Sequence, residues 1–183
     1  RMERIFDSSP LQALELLASS LHGMMTNPAT PWFTLRFKKL EDSNDDEAKL
    51  WLEEATEVMY TAFNRSNFQQ EIFELYHDLI TFGTAAMFVE EDEQDLLKFS
   101  TRHIDEVYVA ENQKGRIDTI FRRFHMTARA LVQKFGDNVS QDIRTMSQKN
   151  PYQEVDIIHA VYPRNEFNPK KKDKANMPFE SVY

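Results

Sequence analysis

Residues 16–37, LLASSLHGMMTNPATPWFTLRF, join a helix to an extended segment through a turn with two prolines. An apolar helix runs into the turn Thr26-Asn27-Pro28-Ala29-Thr30-Pro31, and an extended segment opens at Trp32. The pairs Asn27-Pro28 and Thr30-Pro31 end the helix, because the residue before a proline avoids the helical region. Upstream, Ser8 or Ser9 can cap the helix and Pro10 suits its first turn. Leu11, Leu14, Leu17, Ala18, Leu21 and Met25 recur at helical spacing. Downstream, Phe33, Leu35 and Phe37 alternate with Thr34, Arg36 and Lys38, which predicts a strand buried on one side. Thr26, Asn27, Pro28, Pro31 and Trp32 are therefore the candidates for a structural junction, expected to orient the first helix against a strand layer. Trp32 is also a candidate interface anchor, since Trp and Arg are typical of binding hot spots, with plain core packing as the competing reading.

Working outward, the segment EDSNDDE at 41–47 reads as an acidic turn that starts a second helix, its acids facing the positive helix terminus. Trp51, Ala55, Val58, Met59 and Ala62 predict the buried stripe of that helix. Ser66 with Gln69 reads as a capping box for a third. Phe68, Ile72, Leu75, Tyr76, Leu79 and Ile80 predict its buried face, and Gly83 the position just past its end. The period then changes. Residues 85–89, 96–99, 107–109 and 117–124 read as strands, the last two joined by a glycine-containing turn at 111–115. Thr127 caps a short helix over 128–135 that closes at Gly136, and a further helix is expected over 140–149. Val155, Ile157, His159 and Val161 alternate as one more strand, and 179–183 opens another. Residues 163–178, with three prolines, are expected to be a mobile loop. Helices over 8–83 followed mostly by strands over 84–183 predict a single α+β unit with antiparallel pairing, as a sheet or a small barrel.

Bulk composition narrows the chemistry. The chain has 183 residues and a net charge of −8, with hydrophobic residues at 41% and charged ones at 28%, which fits a folded chain. An acidic chain does not hold nucleic acid by bulk attraction. Four glycines leave little room for a phosphate-cradling loop, and no G-x-x-x-x-G-K-[ST] run is present. Zero cysteines exclude disulfides, thiolate metal sites and cysteine nucleophiles within these residues. No apolar run approaches the ~20 residues of a membrane span. The start at Arg1 suggests a piece of a longer protein.

Candidate chemistry is sparse. Asp42, Asn44, Asp46 and Glu53 fall at calcium-ligand positions of an EF-hand loop, but the sixth position is Glu47 where the sharp turn wants Gly, and helix capping explains the same acids. His22, His77, His103, His125 and His159 form no metal-binding spacing, so packing and hydrogen bonding account for them. The acids 90–93 read as a solvated turn, and Ser19-Ser20 as helix interior. Lys170, Lys171, Lys172 and Lys174 concentrate positive charge and are candidates for contact with phosphate or an acidic partner, against the plainer reading of a solvated loop. Arg122 and Arg123, between apolar residues, are candidate interface residues, one of them expected to pair with an acid nearby or across a subunit surface. No catalytic residue and no cofactor is indicated.

Four blocks in sequence order carry a family resemblance: residues 17–33, LASSLHGMMTNPATPWF; 82–91, FGTAAMFVEE; 122–136, RRFHMTARALVQKFG; and 177–179, MPF. Together they resemble the portal, or head-to-tail connecting, proteins of short-tailed bacteriophages and prophages. The resemblance implies a homo-oligomeric ring, dodecameric in the full-length protein, at one capsid vertex, through which double-stranded DNA is packaged and ejected. It implies capsid, packaging motor and tail proteins as partners, no membrane, and a place in the virion after assembly in the host cytoplasm. These residues would be the peripheral wing, without the family's stem, clip and crown, and ATP hydrolysis would belong to the separate motor. The readings that compete are a cellular α+β adaptor using the lysine loop and a carboxylate- or metal-dependent hydrolase.

Overall fold

Helix α1 (Ser9–Met25) stops where the sequence stops it, with the Thr26 N–H donating to the His22 carbonyl at 3.1 Å. The computed structural model describes residues 7–38, 46–171 and 173–183. Helices α2 (Asp46–Arg65) and α3 (Phe68–Phe82) follow, then an antiparallel hairpin of β1 (Ala86–Asp92) and β2 (Leu96–Arg102). After a single helical turn come β3 (Val107–Glu111) and β4 (Ile117–Thr127), the helices α4 (Ala128–Phe135) and α5 (Gln141–Lys149), then β5 (Glu154–Pro163) and β6 (Phe179–Val182). Three helices precede the first strand, two short ones fall between β4 and β5, and all pairing among the described residues is antiparallel, an α+β architecture.

The chain forms two compact units, residues 1–104 and 105–183. In the first, α1 packs on α3, and Ala18, Thr26, Phe68, Tyr76 and Phe99 are buried. Thr26 and Tyr76 meet hydroxyl to hydroxyl at 3.2 Å in that core. A lone hairpin is marginal in water, and here α3 supports it. Asn67 receives the Phe99 N–H and donates to the Phe99 carbonyl, both at 2.8 Å, while a Glu71 carboxylate oxygen accepts the Thr101 N–H at 2.6 Å. Helix side chains thus complete the outer edge of β2 as a neighbouring strand would.

That use of Asn67 corrects the expected capping box. Asn67, not Ser66, is the residue before α3, and its side chain is spent on β2. Gln69 bonds His22 at 2.8 Å instead of turning back to the cap. Gly83 closes α3 at φ 74°, a left-handed conformation that glycine adopts without strain.

The segment 31–38 is the second correction. Phe33, Leu35 and Phe37 are half-buried and alternate with exposed neighbours as predicted, yet the segment joins no sheet. Its backbone is held by α2 side chains. The Trp32 and Phe33 N–H groups both donate to the Tyr60 hydroxyl at 2.6 Å, that hydroxyl donates to the Phe33 carbonyl at 2.9 Å, and the Leu35 N–H donates to the Thr56 hydroxyl at 3.2 Å. The stripe of α2 is corrected with it. Trp51 and Val58 are 63% and 69% exposed, and the face that packs carries Leu52, Thr56, Tyr60 and Phe63.

In the second unit the sheet order is β3-β4-β5-β6. The sheet is open rather than a barrel, because β3 and β6 each pair on one side only. Thr127 caps α4 by accepting the Ala130 N–H at 3.3 Å, and the Ala128 N–H is tied to the Gln153 carbonyl at 2.9 Å, ahead of β5. Ala128, Leu131 and His159 are its buried residues. The stretch 163–178, expected as a loop, is drawn together where Arg164 N–H meets the Pro178 carbonyl at 2.9 Å and where Asn176 receives the Asn168 N–H at 3.1 Å and donates to Asp173 at 2.7 Å.

Candidate functional site

At the proline junction, Trp32 stacks on Phe68 with ring centroids 5.8 Å apart and planes 9° from parallel, and it meets Tyr60 and Phe63 edge-on or tilted. Aromatic pairs of this kind add about 0.5–1.5 kcal/mol beyond the area they bury. Trp32 therefore packs the turn onto α2 and α3, the core-packing reading of this residue. Asn27, Pro28, Pro31 and Trp32 wall one side of a cavity of about 390 Å³, with Glu57, Asn64 and Gln69 opposite. Along the other side of 31–38, a larger groove of about 870 Å³ runs between Phe33, Leu35, Phe37 and the α2 residues Leu52 and Thr56. The larger groove carries Glu53 and Glu57 one turn apart on α2, beside Lys49, and no histidine or third acid of the described residues joins them there. Among the described residues no group of three His, Asp or Glu is placed to hold a metal.

Asp42 and Asn44 of the calcium pattern lie outside the described residues. Asp46 sits in the first turn of α2, where the Lys49 ammonium, 2.9 Å away, holds its carboxyl below the usual range, first by hydrogen bonding and then by charge. Glu53 is on the same helix, two turns further on.

Both arginines of β4 pair with acids of their own unit. Arg122 reaches the same Glu106 oxygen through Nη2 at 2.7 Å and Nε at 2.8 Å, and its guanidinium lies 3.8 Å from the centre of the Phe124 ring. Arg123 meets Asp156 at 3.4 Å on the exposed side, where His125 shares that carboxylate at 3.1 Å. Lys170, Lys171 and Lys174 are exposed between β5 and β6, and Lys172 lies outside the described residues. His159 is buried, bonded to the Ser181 hydroxyl at 2.8 Å and stacked face to face on Tyr183 at 4.0 Å.

Two surfaces stand out for what they expose. On α1 and α2, Leu16, Met24, Trp51 and Val58 face solvent. On the four-stranded sheet, register aligns Tyr108, Phe121, Ala160 and Val182 in one row across all strands, and Tyr108, Phe121 and Val182 are each more than 40% exposed. Isolated exposed apolar residues are ordinary, but contiguous ones mark interaction surfaces. The sequence reading missed this row because it depends on how strands pair. It also missed Tyr60, Asn67 and Glu71, whose roles as backbone partners have no local signature.

Residues 1–183 match the family described as bacteriophage head to tail connecting protein over their whole length. The chain belongs to that family. It is 36% identical over 185 residues to the portal protein of Salmonella phage epsilon15 and 32% identical over 185 residues to the probable portal protein of Bordetella phage BPP-1. Each alignment takes in all of this chain and 33% of the relative, so the chain spans about a third of the length of the portal proteins it matches. No helix among the described residues is long and apolar enough to cross a membrane.

Proposed function

We propose that these residues are a structural part of a phage portal ring, without catalysis of their own, in a virion component through which double-stranded DNA passes. The observation that carries the proposal is the end-to-end family match over residues 1–183. The surfaces support it. Helix α2 carries two faces, one holding the segment 31–38 and one, with Leu50, Trp51 and Val58, turned to solvent, as expected of an element that meets further protein in an assembly. A ring closes through heterologous contacts, one patch against a different patch on the next copy. The net charge of −8 suits a channel that lets DNA slide, since like charge repels the duplex from all sides. In this reading the partners are further copies of the same protein in a dodecamer, the capsid, the packaging motor and the tail, with assembly in the host cytoplasm.

Electron microscopy of the full-length protein tests the proposal. Annular particles with a hole wide enough for duplex DNA are the expected result. A protein that stays monomeric at assembly concentrations, or that turns over a small-molecule substrate, overturns it.

A further inference from the structure

We draw no further inference here: the strongest candidate, the groove of about 870 Å³ between the segment 31–38 and α2 in the first unit, is an apolar face without a partner, and nothing in the structure shows what covers it.

Discussion

The Tyr60 hydroxyl carries three hydrogen bonds to one stretch of backbone, two received and one given. Tyr60→Phe keeps the ring stacked on Phe33 at 4.4 Å and removes only that oxygen. Leaving half-buried backbone groups without partners costs about 1–3 kcal/mol, so urea unfolding of the variant should show a loss of that size. Asp92 works on a smaller scale at the hairpin turn. The Asp95 N–H, and then the Gln94 N–H, hold its carboxyl below the usual range by hydrogen bonding to the ionised form. Because the folded group has the lower pKa, its contribution is complete above the unfolded value of about 3.9 and is lost as pH falls through the folded one. An NMR titration should show the Gln94 and Asp95 amides shifting together below about pH 4, and Asp92→Asn should abolish that joint shift. Neither role follows from residue type alone. A tyrosine on a helix reads as core, and an aspartate among acids reads as surface charge.

Among the elements, those with strong local punctuation were legible. Thr127 and Gly136 bracket α4, Gly83 closes α3, and alternation marks β5. Two elements were read in part, for one physical reason. Alternation along 33–37 reports that one side is covered, and it does not report what covers it, so it predicts a sheet neighbour where a helix lies. The α2 stripe has helical spacing and predicts burial, but Trp51, Val58 and Met59 of it are exposed, Ala55 and Ala62 are half-buried, and a second stripe through Leu52, Thr56, Tyr60 and Phe63 packs inward. The link between α3 and β2 is the element most open to a single change. Asn67→Asp removes the donor to the Phe99 carbonyl and sets a negative charge against it, next to Glu71. It should destabilise the first unit more than Asn67→Ala does, each by about 1–3 kcal/mol or more for the charged variant, read from thermal unfolding with Trp fluorescence.

For the whole molecule, composition excluded more than it identified. A net charge of −8 with one lysine cluster argues against a nucleic-acid reader, and the order of helices and strands gave the class. Of the junction residues, Asn27, Pro28, Pro31 and Trp32 line one cavity with α2 and α3 residues and Thr26 is buried against Tyr76, whereas Arg122 and Arg123 are satisfied within the sheet unit. The exposed row Tyr108–Phe121–Ala160–Val182 leaves no trace in a single sequence, because it depends on which strands pair and in what register. The charge makes a measurable statement. Fluorescence anisotropy with a duplex oligonucleotide at physiological salt should show no tight binding by the full-length protein, and Lys170→Glu with Lys174→Glu should change that little. Tight, salt-sensitive binding removed by those substitutions would assign the loop to DNA instead.

The fastening of 31–38 by two hydroxyls, in place of a ladder, sets how that segment comes loose. A strand in a sheet gives up its amide protons only when its neighbours part. The Trp32, Phe33 and Leu35 amides need only a rotation of Tyr60 and Thr56. In deuterated water they should exchange well before Phe99, whose amide sits inside a hairpin braced by α3. Exchange at these three amides ahead of Phe99 would make the segment 31–38 a latch that lifts while the body beneath it stays folded.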